Sequence, residues 1–455
     1  MNTFPRDGRP VAVLVLMAIS ACALALFSGV AAGLTYTDLE SAIRSIGLTL
    51  QHIRPIHESF AFAWVFLGGV AVVHAWLIST GGPLNPAERK RFAVMIGLWV
   101  VAGAGILVTL LAGRFTGREY AGYHPVFSVI IFVGWLLFAW NFFGRTRFSL
   151  RGQPVYVWMW TAAIPLFAVT FLEAHAYTFD WVSRQPIRDI AIQWKANGVM
   201  VGSFNLLAYG SMMWTGGKMR GDDRYSRSAT AFLLFSVGIV NTFTNYGHHT
   251  FHLPQTPWVH WVSFLISMAE VLLLAKAAVD LWGLRRKSIP PDLALPDRFA
   301  RSVTLWTTAM LVMAIGMSVP PLNSLIHGTT VVTAHAMGTM IGIDSMILWG
   351  ALSWLIRQFA GQVDGVVNSR WMRRAVAILD LSLAGFLTVF IIRGIASGLE
   401  RQLGPSAPDW SRFVSVFPVL MVAFGSVLAV TVIWMVVRWM IVLIGVLRSD
   451  EISSK

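Results

Sequence analysis

A chain of 455 residues that is 56% hydrophobic and only 13% charged is not a soluble domain, in which about a quarter of the residues carry charge. Its formal net charge of +13 does not require a nucleic-acid partner, and none is expected: in an apolar chain, Lys and Arg gather in the loops on one side of a membrane. The lone cysteine, Cys22, excludes an internal disulfide and a cysteine-based metal site.

The first apolar run, "VAVLVLMAISACALALFSGVAAGL" (11–34), is uncharged and long enough to cross a hydrocarbon core of about 30 Å. It lacks a small-residue cleavage site and reads as a retained helix. Eleven further runs follow, at 56–80, 92–113, 125–144, 155–177, 189–215, 228–250, 256–283, 300–320, 326–357, 372–395 and 413–446. The expected fold is all-α, a polytopic membrane protein of twelve transmembrane helices, and residues 1–455 read as a single integral membrane domain.

The loops alternate in charge. One set, including "NPAERKRF", "GRTRFSLRG", "GGKMRGDDRYSR" and "RQFAGQVDGVVNSRWMRR", is much richer in Lys and Arg than the set containing "TYTDLESAIRSIG", "TFDWVSRQPIRD", "HLPQTP" and "PPLNSLIHG". The basic set belongs on the cytoplasmic side, which places both termini there. No soluble domain, repeat or low-complexity segment is evident.

Polar side chains inside spans are costly and mark function. His57 opens span 2, "NYGHHTFH" places His248, His249 and His252 near the outer end of span 7, and His335 lies within span 10. The topology puts His57, His248, His249 and His335 at similar depth in the outer half of the membrane, which suggests convergence on one layer. Two adjacent buried imidazoles are costly unless they coordinate something. Neighbours on a regular helix point about 100° apart, so reaching one ion requires a distortion near Pro254. His74 and His260 read as hydrogen-bonded packing residues, His124 as solvated and His252 as a helix-end cap. In "HGTTVVTAHAMGTMIG" (327–342), His335 and Met337 are two residues apart and leave opposite faces of a helix. His74, Glu173 and Asp344 are scattered polar residues that form no evident proton channel.

"YGHHTFHLPQTPWVHWVSFLISMAE" followed by "HGTTVVTAHAMGTMIG" resembles the large catalytic subunit of the bacterial nitric-oxide reductases, a twelve-helix branch of the heme–copper oxidase superfamily (subunit I). The resemblance extends over nearly the whole chain and is most specific in spans 2, 6, 7, 8 and 10. It implies that His57 is an axial ligand of a low-spin heme b and that His248 and His249 bind a non-heme metal. Glu270, in "SMAEVLLL", would complete the shell of that metal or deliver protons, and His335 would bind a high-spin heme b.

Two departures stand out. The family carries a second His in span 10 where this chain has Met337. Met is also an axial heme ligand and raises the reduction potential relative to bis-His, so the alternatives are a His57–Met337 heme and a packing Met. In span 6, Asn197, Val201 and Asn205 stand where the resemblance calls for a metal-binding His and two Glu. Asn197 would offer a neutral amide oxygen. Two imidazoles and a neutral ligand suit copper, whereas iron favours an added carboxylate, so the metal is iron or copper. Lys195, two residues before Asn197, would reach a heme propionate or the outer surface.

The resemblance implies an oxidoreductase: two NO, two electrons and two protons give N2O and water, with a second heme relaying electrons. The implied cofactors are two hemes b and one non-heme iron or copper. The implied partners are NO as small-molecule substrate, membrane lipid and an electron-donor subunit carrying cytochrome c or copper, because this chain has no CxxCH. The expected location is the bacterial inner (cytoplasmic) membrane. The departures keep two other readings open: an NO dismutase or terminal oxidase-like enzyme, and a non-catalytic heme-binding NO sensor or paralogue.

Overall fold

A computed structural model describes residues 8–244, 246–250, 253–284, 290, 293–360 and 367–452. Among the described residues all regular structure is helical. Twelve long helices follow the order of the predicted spans: α1 (Arg9–Leu34), α2 (Leu50–Gly81), α3 (Pro86–Leu111), α4 (Pro125–Thr146), α5 (Val155–Ala174), α6 (Pro186–Arg220), α7 (Ala229–Thr244), α8 (Pro257–Leu284), α9 (Ala294–Ser318), α10 (Thr330–Met337, Gly338–Ser345 and Met346–Ala360 in succession), α11 (Arg370–Leu403) and α12 (Ser411–Ile452).

Ten of these are long and apolar enough to cross a membrane, two fewer than the sequence reading. The exceptions are α6 and α7. Although α6 has 35 residues, Gly198, Gly202, Ser203, Asn205 and Gly210 dilute its apolar run. Helix α7 is described over 16 apolar residues, Ala229–Thr244. Both helices border the candidate site.

Helix starts follow local chemistry. Asn85 accepts from the Glu88 amide while the Glu88 carboxylate accepts from the Asn85 amide, a capping box that opens α3. Proline occupies the first turn of α3, α4 and α6, where its missing N–H costs nothing. Helix α2 begins several residues before the predicted span because amphipathic "LQHIRP" continues the helix beyond its apolar run.

The bundle closes on itself: α1 packs against α2 and α12, α5 against α6, and α11 against α12. Its core is dense in aromatics, with Trp135, Trp160, Trp214 and Trp439 all under 3% exposed. One corner is held by Arg145 of α4. Its guanidinium donates to both Glu88 carboxylate oxygens (2.9 and 2.7 Å) and to the carbonyls of Leu77, Gly82 and Pro83. Every charge buried there has a partner.

Helix α10 departs most from the regular helix expected over 326–357. A short helix, Pro320–Ile326, precedes it, and Thr329 caps its first turn. Gly338–Ser345, beginning directly after Met337, is π-helical. The Ser345 hydroxyl donates to the Met340 carbonyl five residues earlier (2.7 Å) and accepts from Trp64 Nε1 (2.8 Å). The wide turn is therefore pinned from α2. Such bulges frequently mark functional sites.

Candidate functional site

Helix α7 is described to Thr244, and the backbone of His248 and His249 lies in a helical turn, Tyr246–His249. The two imidazoles, and with them the distortion expected near Pro254, lie outside the described residues. Side chains bond to the backbone of the turn. The Thr250 hydroxyl donates to the Tyr246 carbonyl (2.8 Å), and Gln255 Nε2 donates to the carbonyls of Thr250 (2.8 Å) and Gly247 (3.2 Å). The turn packs against both α6 and α8. Gly247 makes this approach possible: a Cβ there would sit 2.8 Å from the Val259 carbonyl and 3.0 Å from Ser263 Cβ of α8.

That contact orients α8. Ser263, Ser267 and Glu270 are spaced four and three residues apart, so the face that meets the histidine turn carries Glu270 two turns further along. The Glu270 carboxylate accepts a short hydrogen bond from Asn241 Nδ2 of α7, and Asn241 Oδ1 accepts from Ser267 Oγ (2.8 Å). Asn241 precedes His248 by seven residues, a helical spacing that signals a shared face and that the sequence reading missed. Glu270, Asn241, Thr242, Asn205 and Tyr209 line a cavity between α6, α7 and α8. Its free volume of ≈ 30 Å³ has room for a water molecule or two.

On α6, the Asn197 amide nitrogen and the Asn205 amide oxygen are buried without a hydrogen-bond partner among the described residues. Asn197 stands on the helix that touches the histidine turn, and Asn205 opens onto the Glu270 cavity. Lys195 instead binds Glu173 of α5 (Nζ to Oε1 2.6 Å). These two residues form one ion pair, so Glu173 is no isolated polar residue.

His335 and Met337 sit in the last regular turns of α10 before the π segment. Both are half-buried, and His335 Nδ1 has no hydrogen-bond partner. Met337 packs at the edge of the main apolar core. His57 lies against α1. Its Nδ1 is 2.7 Å from the Ala25 carbonyl, and a Cβ on Gly29 would meet the ring at 2.8 Å. The carbonyl bond puts the proton on Nδ1 and leaves Nε2 as the lone-pair nitrogen. Among the described residues Nε2 has no hydrogen-bond partner. A histidine oriented this way by its second nitrogen is prepared for an axial bond.

The loop after α3 clamps onto α2 beside His57, another feature the sequence reading missed. Arg54 bridges Glu58 (2.7 Å) and Glu119 (2.6 Å), and the Tyr120 amide donates to Glu58 (3.3 Å). Tyr120 takes a left-handed backbone (φ 61°) and sets its ring, tilted by 48°, 5.1 Å from that of Phe62. Burial, with Glu119 and Glu58 adding to it, pushes its phenol up to about 12, so the loop stays neutral at that point.

The remaining histidines divide. His74 is fully buried, its Nδ1 3.0 Å from the Val70 carbonyl, between the rings of Phe92 and Phe138. This is the packing role expected of it. His124 is exposed and caps α4 through the Val126 amide (3.2 Å). His252 lies outside the described residues.

An all-helical, membrane-type bundle with imidazole, thioether, amide and carboxylate groups directed into its interior has the form of a membrane redox protein. The sequence matches the family described as cytochrome c and quinol oxidase polypeptide I over residues 11–447. The chain belongs to that family, the subunit I family of the heme–copper oxidases. It is similar to cytochrome c oxidase subunit 1 of Rhodobacter capsulatus, 22% identical over 377 residues that cover 77% of this chain and 68% of the relative. Its fold is similar to that of a heme–copper terminal oxidase solved as a dimer. There the TM-score is 0.72 at 14% identity, covering 96% of this chain and 84% of the other. The family is one of membrane oxidoreductases whose subunit I binds hemes and a copper or other metal.

Proposed function

We propose that the chain is the catalytic subunit of a membrane nitric-oxide reductase, converting two NO to N2O and water. The observation that carries this reading is the placement of Glu270. A carboxylate is held by Asn241 and Ser267 on the face of α8 that meets the His248–His249 turn. A two-His site with an acidic neighbour and an amide, Asn197, suits iron; without Glu270 in its shell it suits copper equally.

The residues fit the implied groups. His57 has its Nδ1 committed and its Nε2 available, His335 is half-buried without a hydrogen-bond partner for Nδ1, and Met337 is its opposite-face neighbour. His57 with Met337 would hold a low-spin heme b, His335 a high-spin heme b, and His248 and His249, joined by Asn197 or Glu270, the non-heme metal. When bound, these groups supply electrons one at a time and hold the substrate. The chain itself does three things: it orients the ligands through the Ala25 carbonyl and the Gly247 contact, it excludes bulk water by its aromatic core, and it brings protons in on Glu270. An electron-donor subunit carrying cytochrome c or copper would dock on the outer face near the Arg54–Glu119 loop, in the bacterial inner membrane with both termini cytoplasmic.

The second reading is oxygen reduction, favoured by the similar proteins, which are oxidases by name. One experiment separates the readings. The full chain, purified with its hemes and metal, is given NO or O2 with and without a reductant. Reductant-dependent N2O formation supports the proposal, and reductant-dependent O2 consumption alone replaces it. NO consumption without reductant indicates a dismutase; heme that binds NO without turnover indicates a sensor.

A further inference from the structure

The two heme ligands proposed on α10 lack the support that His57 has. The Ala25 carbonyl fixes the His57 ring. His335 Nδ1 has no hydrogen-bond partner among the described residues, and a thioether such as that of Met337 is only a weak acceptor. A metal ligand is normally oriented by a second bond; without one, its orientation comes from its backbone. The backbone that follows Met337 is the π turn Gly338–Ser345. What holds that turn therefore decides how Met337 is presented.

Helix α9 packs against the turn and meets it at two glycines. Gly338 and Gly342 are four residues apart, and so are Met310 and Trp306 of α9, which lie against them. A Cβ on Gly342 would sit 2.7 Å from Trp306 Cγ, and one on Gly338 would overlap the Met310 sulfur. Both α9 side chains are buried. The indole is fixed in turn by α11. Trp306 Nε1 donates to Asp380 Oδ1 (3.0 Å), and the Ser302 hydroxyl, one turn before Trp306, donates to Asp380 Oδ2 (2.8 Å). An Asp inside a span is costly, and an apolar side chain would fill an α9–α11 contact without that cost. Here both of its oxygens are committed to α9, one of them to the ring that lies on the π turn. At the far end of the turn, Trp64 Nε1 of α2 donates to Ser345 Oγ (2.8 Å). The turn is therefore held by α9 along its first half and by α2 at its last residue.

We infer that Asp380 and Trp306 are positioning residues for the low-spin heme: Asp380 fixes the indole, the indole seats Gly342, and the seated π turn sets how Met337 is presented to the iron. The inference rests on the reading that His57 and Met337 ligate that heme. Loosening the seat weakens the thioether bond. Because an axial Met raises the reduction potential, the potential of the heme falls with it.

The test uses the full chain purified with its hemes. It reads the midpoint potential of the low-spin heme, its EPR spectrum and its thioether-to-iron charge-transfer band. Trp306→Phe keeps an aromatic ring and loses the N–H; Asp380→Leu loses both acceptors. Each is expected to shift the ratio of oxidised to reduced heme at a fixed potential about ten-fold toward oxidised, about 59 mV for one electron. The charge-transfer band weakens while heme content is kept. Asp380→Asn, whose amide oxygen still accepts from the indole, restores the wild-type values. Gly342→Ala sets a methyl group against the indole and shifts them again with Asp380 untouched. A residue that only stabilised the α9–α11 contact would lower the unfolding midpoint and leave the potential where it was. An unmoved potential and spectrum in Trp306→Phe and Gly342→Ala therefore overturns the inference. So does a shift in Asp380→Asn as large as in Asp380→Leu, because charge and not the hydrogen bond would then be the cause. If Asp380→Leu does not assemble, Trp306→Phe and Gly342→Ala carry the test. Met337→His separates the two ways to fail. If it too leaves the potential unmoved, Met337 is no ligand and the ligand reading fails; if it alone moves the potential, only the positioning role fails.

Discussion

Two buried polar regions of this protein obey opposite rules. At the corner between α2, α3 and α4, Arg145 and Glu88 bring charge out of water, and every donor and acceptor that faces them is used. On α6 and α10, Asn197, Asn205, His335 and Asp344 each bury a polar atom that has no partner among the described residues. An unpaired buried polar group costs about 1–3 kcal/mol. A satisfied network is how a fold holds itself together; buried orphans are how it holds something else or moves a proton.

The largest effect should come from breaking the satisfied corner. Arg145→Ala strands the Glu88 carboxylate and three backbone carbonyls and is expected to destabilise the protein by about 3–5 kcal/mol, read as a lower unfolding midpoint in detergent. The opposite substitution sharpens the contrast. Asn205→Leu removes an orphaned amide and is expected to raise stability by about 1–3 kcal/mol while slowing turnover. A loss of stability there would make Asn205 structural.

Next comes Gly247→Val. The added side chain meets the backbone of α8, so the histidine turn must shift, and the non-heme metal is expected to fall by an order of magnitude in occupancy while both hemes stay. Equal loss of heme would show global misfolding instead. Met337→His converts the proposed low-spin heme to bis-His ligation. Its potential should fall by a fraction of the about 0.8 V that axial ligands span, with a matching change in the EPR spectrum. An unmoved potential assigns Met337 to packing. The smallest effect is expected for exposed His124→Ala, which costs α4 its cap, about 1 kcal/mol, and leaves heme content and turnover alone.

Much of the fold was legible because the bilayer imposes one rule on every span, and apolar length reports it. The rule weakens at α6, where Gly, Ser and Asn thin the apolar signal. Candidate ligands were legible as residue types in expensive places: His57, Asn197, His248, His249, Glu270, His335 and Met337 all come from the sequence. Their supporting partners were not. Ala25 offers only a carbonyl, Gly247 only the absence of a side chain, and Asn241 is one polar residue among many until α7 and α8 are packed together. Asp344, read as scattered along the chain, lies buried in the π turn of α10.

By itself the sequence determined an all-helical membrane chain, the order of its helices, and the opposite faces of His335 and Met337, because these follow from hydropathy and helical periodicity alone. Only the tertiary structure decided how the histidine turn meets α6 and α8, where the π turn interrupts α10, and which buried polar atoms lack partners. Those depend on which helices approach closely enough to satisfy or strand a hydrogen-bonding group, and no local rule contains that distance.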